Sequence, residues 1–270
     1  MNSEEWEQRC TDVKNEMMAH VSSFVTPISM SEEQGFGVAW GSGGYLGDGE
    51  NSWLITASHV FSDAPKGAVL AHLPRPGEDY VAIDAHPDLA RWPVDVAAVR
   101  VARLPLNSEK KFIPKNRLAQ RYSAVESELL FWIGFPGFNL ARHDPLVADK
   151  RRASMFGELQ LPALGMLSQS VQGDGLTHQA FDQNKHIEIM YPNAAKKAAG
   201  EPEVSLPNAK GMSGSILWNT RYVEMQRAKR NWSPLDSVVC GVVWGALEDP
   251  EVILATRIEY IRESIKPPFS

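Results

Sequence analysis

The feature that most limits the fold of this chain is a series of short segments rich in β-branched and aromatic residues, separated by turn residues. No long helical pattern lies between consecutive segments, and parallel strands need such crossovers. The pattern therefore predicts an all-β chain, built as an antiparallel barrel or sandwich. The segments span residues 24–30, 35–41, 52–57, 68–74, 80–85, 96–101, 129–136, 186–192, 214–219, 237–245 and 251–258.

Helical patterns occur at the two ends of the chain. Near the amino terminus, apolar residues recur every three or four positions, which predicts a helix over residues 3–21 packed on the main body. The stretch RIEYIRESI predicts a closing helix. The apolar positions of the first helix are Trp6, Cys10, Val13, Met17 and Val21.

Composition excludes several functional classes. The net charge of −6 and a pI near 5.7 argue against a nucleic-acid surface, which needs a basic excess. The acidic start of the chain does not resemble a signal peptide, and no apolar run reaches the roughly 18 residues of a membrane span. Only Cys10 and Cys240 occur, which fits a reducing compartment. We expect a cytoplasmic protein without membrane or nucleic-acid partners, and without a metal or cofactor.

The stretch KGMSGSILWN places Ser213 between two glycines, Gly211 and Gly214, before an apolar run. A serine nucleophile needs a base, and the base needs an acid that fixes its tautomer. His59 follows the strand-like WLITA, and Asp95 precedes the strand-like VAAVRV. These three residues are the candidate catalytic set.

The order His59, Asp95, Ser213 discriminates among serine hydrolases. In the α/β-hydrolases the histidine follows the serine, but the last histidine here is His186. In the subtilisin order an aspartate comes first, and Asp48 lies in a glycine-rich turn on a chain that lacks α/β alternation. An all-β serine hydrolase remains.

Alternatives stay open at several positions. Asp84 or Asp88 could replace Asp95 as the acid, and Ser215 is a second serine that falls after the turn. The segments 41–51, 139–158 and 193–210 are predicted surface loops, and the first is better explained by a hairpin turn than by a phosphate-binding loop. The other histidines are predicted to be surface or structural residues: His72, His86, His143, His178 and His186.

Six stretches together resemble the trypsin-like, chymotrypsin-fold serine peptidases. LITASHV, DVAAVRV and GMSGS are similar to the histidine, aspartate and serine motifs of that family, in the same order. FWIGFPG, VVWG and ILATRIEYIRESI resemble the opening of the second barrel, the substrate-lining strand and the closing strand and helix. The resemblance implies two antiparallel β-barrels with the active site between them, in an intracellular, bacterial-type member.

The resemblance also implies roles for individual residues. Ser213 is expected to be the nucleophile, His59 the general base and then acid, and Asp95 the residue that orients the imidazole. The N–H groups of Gly211 and Ser213 are expected to form the oxyanion hole. Met212 stands where secreted members carry an aspartate that captures a new amino terminus, so such zymogen activation is not expected.

The primary substrate pocket is assigned by the same resemblance. Its floor is expected near Pro207 and Asn208, with walls formed by Val243, Trp244, Gly245 and Ile253. No acidic residue lies at the floor, so a small or medium apolar substrate residue is predicted. Glu248, Asp249 and Glu251 lie on a nearby loop and could change that preference.

These patterns predict one peptidase domain with five parts. They are a helical extension at 1–22, a first barrel at 23–105, a linker at 106–125, a second barrel at 126–258 and a helix at 259–270. The expected function is a serine endopeptidase acting on protein or peptide substrates through an acyl-enzyme. The alternative is a latent or non-cleaving trypsin-fold protein that requires a regulatory protein partner.

Overall fold

The computed structural model describes most of the chain in several ordered stretches. These are residues 3–31, 37–47, 51–74, 80–101, 110–136, 163–171, 181–192, 194–196, 199–248, 251–266 and 268–269. The predicted loop at 139–158 lies outside them.

The first sheet contains seven antiparallel strands, in the order β5-β4-β1-β2-β3-β7-β6. Apolar residues occupy alternate or successive positions along these strands. The central strands are buried on both faces. Their bounds are β1 (Val25–Ser31), β2 (Gly37–Gly47), β3 (Ser52–Thr56), β4 (Val69–His72), β5 (Val81–Ala82), β6 (Asp88–Ala90) and β7 (Val96–Arg100).

The second sheet contains six antiparallel strands, in the order β10-β15-β14-β13-β8-β9, and a small hairpin pairs β11 with β12. Both large sheets are curled half-barrels, and they pack against each other. The bounds are β8 (Leu129–Gly134), β9 (Leu164–Gln169), β10 (His186–Met190), β11 (Ala194–Lys196), β12 (Glu203–Ser205), β13 (Ile216–Asn219), β14 (Val238–Glu248) and β15 (Glu251–Arg257).

The glycine-rich segment at 41–51 was predicted to be a surface loop, and for most of its length that prediction is wrong. Residues 41–47 are the buried second half of β2. A Cβ at Gly44 would lie 2.3 Å from Ile216 Cγ1 on the second sheet. Gly44 therefore permits close packing of the two sheets.

Four α-helices and three short 3-10 helices complete the described structure. The α-helices are α1 (Ser3–Val21), α2 (His59–Ser62), α3 (Tyr222–Arg227) and α4 (Ile258–Ser264). The terminal helices α1 and α4 confirm the predicted ones. Val13, Met17 and Val21 of α1 are buried in an apolar cluster that includes residues of both sheets, such as Trp53 and Trp218. Within the described ranges, no helix combines the length and the apolar character that crossing a bilayer requires.

Candidate active site

His59 and Asp95 are brought together by the edge of the first sheet. His59 begins α2, three residues beyond the end of β3, and Asp95 immediately precedes β7, the strand that pairs with β3. His59 Nδ1 lies 2.7 Å from Asp95 Oδ2. The backbone N–H of His59 also donates to Asp95 Oδ1 at 3.0 Å. The side chain and the backbone of His59 thus both contact the Asp95 carboxylate.

The surroundings of this pair tune both pKa values. Burial lowers the pKa of His59, but the hydrogen bond and the charge of Asp95, helped by Asp63, outweigh it, and the net shift is upward. Burial raises the pKa of Asp95, but its hydrogen bonds to His59 and Ser58 outweigh that effect and lower it. Asp95 is therefore ionised near neutral pH, and an ionised carboxylate stabilises an imidazolium beside it.

Ser213 lies in the turn between β12 and β13, where the second sheet meets the first. Its carbonyl accepts the N–H of Ser42 on β2 at 2.8 Å, and Gly214 N donates to the carbonyl of Val243 at 2.7 Å. The Ser213 hydroxyl donates to the carbonyl of Trp244 at 3.2 Å, and the structure shows no hydrogen bond between it and His59. A change of the serine rotamer is needed to turn the hydroxyl toward the imidazole.

The turn before Ser213 presents two backbone N–H groups. Gly211 has φ +91°, a conformation that favours glycine. The Gly211 carbonyl accepts a hydrogen bond from the Ser42 hydroxyl at 2.7 Å, and the N–H of the following Met212 donates to the carbonyl of Ala209 at 2.9 Å. The peptide group between Gly211 and Met212 is therefore fixed at both ends. Among the described residues, neither Gly211 N–H nor Ser213 N–H donates to an acceptor. Both remain available to an oxyanion.

A cleft of about 660 Å³ opens beside Ser213. Five of the residues predicted from the sequence line it: Pro207, Asn208, Val243, Gly245 and Ile253. Further lining residues are Tyr191, Leu206, Lys210, Met212 and Glu251.

The prediction that Trp244 lines this pocket is wrong. Trp244 is not among the residues that line the cleft. A β-bulge interrupts the pairing of β14 with β15 between Val243 and Gly245, so the regular alternation of side chains does not hold at Trp244. Its ring packs with the apolar cluster of the first sheet and lies 5.0 Å from the ring of His186. Trp244 contributes its carbonyl to the site through the contact with Ser213.

The alternative site residues lie elsewhere. Asp84 and Asp88 are exposed, whereas Asp95 is only 7% exposed and contacts His59. The buried Ser215 hydroxyl donates to the carbonyl of Met212 at 2.7 Å, within its own turn.

The other described histidines have positions typical of surface or structural residues. His72 is buried against the hydroxyl of Tyr45, His186 is buried against the carbonyl of Pro93, and His86 is exposed. His143, His178 and Asp48 lie outside the described residues.

Several residues that support the site were missed from the sequence. The Ser42 hydroxyl joins the turn of Gly211 to Phe135 N, the Ser58 hydroxyl contacts Asp95, and the Tyr191 hydroxyl donates to the carbonyl of Pro207 at 2.7 Å. Of these residues, only Ser58 had an indication of its role in the sequence, because it adjoins His59. No group of acidic, histidine and cysteine side chains in the described part of the chain has a metal-binding arrangement.

Comparisons with known proteins place this geometry in a family. A search of curated proteins found no match. Among solved structures, the scabies mite inactivated protease paralogue S-I1 is similar at 15% identity, with 95% of this chain and 98% of that chain covered and a TM-score of 0.52. The MamO protease domain from Magnetospirillum magneticum is similar at 12% identity, with 91% and 97% covered and a TM-score of 0.48.

Identities this low show the fold alone, and the predicted chymotrypsin-like fold class is confirmed. A family model described as a trypsin-like peptidase domain matches residues 35–223, which is more than half of the sequence. This chain therefore belongs to the trypsin-like peptidase family.

Proposed function

We propose that this protein is a serine endopeptidase that hydrolyses peptide bonds through an acyl-enzyme. The observation that carries the proposal is the Asp95–His59 pair, joined at 2.7 Å, on the first sheet, together with Ser213 and two unused N–H groups at the head of a cleft on the second. The same residues fill the three roles that serine chemistry requires. A cytoplasmic location belongs to the proposal and is supported by the unpaired thiols of Cys10 and Cys240.

In the proposed reaction, His59 Nε2 takes the proton of Ser213 Oγ as that oxygen attacks the scissile carbonyl carbon. The N–H groups of Gly211 and Ser213 stabilise the negative oxygen of the tetrahedral intermediate. The imidazolium, stabilised by Asp95, then protonates the departing amine and leaves an acyl-serine. A water molecule, deprotonated by His59, attacks this ester and releases the carboxylic acid, and Ser213 recovers its proton.

Met212 bears on how the site is assembled. Its side chain is 0% exposed, and it packs in the apolar cluster of the second sheet, close to Gly134. An apolar side chain here holds the turn of Ser213 from within the core, so no charged amino terminus is needed to order it. This supports an enzyme that is not made as a cleavage-activated zymogen.

The walls of the cleft predict its preference. Val243, Met212 and Ile253 are buried apolar residues, so we expect cleavage after alanine, valine, leucine or a similar residue. The only carboxylate side chain among the described lining residues is Glu251. If Glu251 instead selects basic residues, Glu251→Gln will reduce cleavage after lysine and arginine.

A peptide-library digestion, read by mass spectrometry of the new termini, tests both the activity and this preference. The wild type is expected to generate apolar-specific termini that are absent with Ser213→Ala, and Glu251→Gln is expected to leave the profile unchanged. A profile dominated by lysine or arginine contradicts the pocket assignment. Identical termini with the wild type and Ser213→Ala contradict the proposed function.

One observation favours a second candidate, a latent or non-cleaving trypsin-fold protein that a partner protein activates. The Ser213 hydroxyl bonds to the carbonyl of Trp244, with no bond to His59. The fold itself is compatible with this, since the similar scabies mite protein is described as inactivated. Serine rotamers interchange readily, so the unused N–H groups of the turn favour the active enzyme.

A further inference from the structure

The carboxylate of Asp95 has a third partner that the proposed mechanism does not use. Ser58 Oγ lies 2.5 Å from Asp95 Oδ1, and both residues are buried, with 4% and 7% of their surfaces exposed. An ionised carboxylate only accepts hydrogen bonds, so the serine hydroxyl is the donor. Asp95 Oδ1 thus receives Ser58 O–H and His59 N–H, and Oδ2 faces the imidazole.

The orientation of this hydroxyl is not explained by the helix that follows. Ser58 is the residue before α2, where a serine commonly caps the free N–H groups of the helix. Here the side chain makes no cap hydrogen bond, and its hydroxyl is directed to Asp95, 37 positions along the chain. A local structural role would leave the hydroxyl on the helix end.

Asp95 precedes β7 and has an unusual backbone conformation. Its φ is +47°, in the left-handed region, which aspartate adopts more readily than most residues other than glycine. The hydrogen bonds from Ser58 and His59 fix the orientation of its carboxylate. Ser58 and His59 are adjacent residues, so one short segment fixes both the carboxylate and the imidazole.

We infer that Ser58 is a positioning residue. Its hydroxyl holds the Asp95 carboxylate ionised and in the orientation needed to orient His59. The inference extends the proposed function, and the effect of Ser58 on catalysis rests on that function. The hydroxyl shares the negative charge of Asp95. Without it, more of that charge acts on His59, so the imidazolium is favoured and the pKa of His59 rises. The other charged group that acts on His59 is Asp63, at the end of α2.

Ser58→Ala tests the inference, with Ser62→Ala as the matched control. Ser62 is an exposed serine at the end of α2, and its hydroxyl contacts the exposed Asp63 instead of Asp95, so Ser62→Ala controls for the loss of a serine hydroxyl beside the second carboxylate that acts on His59. We expect Ser58→Ala to lower kcat/KM on a peptide substrate by about 10- to 100-fold, as for loss of a hydrogen bond to a charged group. The His59 pKa, followed by imidazole NMR, is expected to rise by about half a unit. Ser58→Thr, which keeps the hydroxyl, is expected to restore most of both values.

The two readouts separate this inference from the proposed function. If the wild type cleaves peptides and folded Ser58→Ala matches it in kcat/KM and in His59 pKa, the inference is wrong and the proposed function stands. If the wild type cleaves nothing but the His59 pKa moves in Ser58→Ala and not in Ser62→Ala, the positioning contact stands and the proposed function fails. Equal shifts in both serine variants contradict the inference.

Discussion

Ser213→Ala is expected to lose peptide hydrolysis by about 10⁶-fold in kcat, as serine peptidases do when the nucleophile is removed. The cleft and the backbone N–H groups persist in this variant, so substrate still binds but no acyl-enzyme forms. The overall fold is expected to be unaffected, since the hydroxyl makes only one 3.2 Å contact, to the carbonyl of Trp244. Steady-state hydrolysis of an apolar-specific peptide measures the loss, and thermal melting checks the fold.

Ser215→Ala is the matched control for this prediction. Ser215 lies two residues away in the same turn, and its hydroxyl donates to the carbonyl of Met212, outside the cleft. Loss of one neutral hydrogen bond affects stability modestly, so activity within about tenfold of the wild type is expected. The assignment of Ser213 as the nucleophile is wrong if Ser213→Ala retains activity and Ser215→Ala loses it.

Asp95→Asn is expected to lower kcat by about 10⁴-fold, because it reverses the tautomer of His59. In the wild type, one oxygen accepts from Ser58 and from the backbone of His59, and the other faces His59 Nδ1. The two donors fix the amide oxygen of the asparagine on their side, so its NH₂ group faces Nδ1. The imidazole must then accept at Nδ1 and carry its proton on Nε2, where it cannot take a proton from Ser213.

This variant also has an expected effect on pH dependence. The hydrogen bond and charge of Asp95 raise the pKa of His59, so their removal lowers it. His59 acts as a base only when it is neutral. The acid limb of the kcat/KM profile is therefore expected to move to lower pH, and the maximum of the profile is expected to be much lower than in the wild type. Asp63→Asn is the control, because it removes the other charge that acts on His59 and keeps the tautomer. Equal losses in the two variants contradict the role assigned to Asp95.

The residues proposed to act in catalysis could be located from the sequence because each lies in a distinctive local setting. His59 and Asp95 border neighbouring apolar segments, and adjacent strands bring such ends together. Gly211 was assigned through the resemblance to the family, and its positive φ explains why a glycine stands there. The order of the three site residues then selected one fold among the known serine hydrolases.

The supporting residues could not be predicted, because their contacts join distant segments. Nothing near Ser42 indicates that its hydroxyl contacts Gly211, 169 positions away. The glycines of β2 have the composition of a turn, and only the structure shows that side chains at Gly43 and Gly44 would meet neighbouring strands of the first and second sheets. Trp244 was misplaced because the resemblance gives a strand, whereas the β-bulge at that position, which the sequence does not reveal, changes which side chains reach the cleft.

The central claim is that His59 and Asp95 activate Ser213 as a nucleophile. Covalent labelling with a fluorophosphonate probe tests this claim most directly. Intact mass of the wild type is expected to show a single adduct, absent from both Ser213→Ala and His59→Ala. Such a result requires the Ser213 hydroxyl to leave the Trp244 carbonyl and engage His59. A folded wild type that stays unlabelled, or an adduct that persists in Ser213→Ala, contradicts the account.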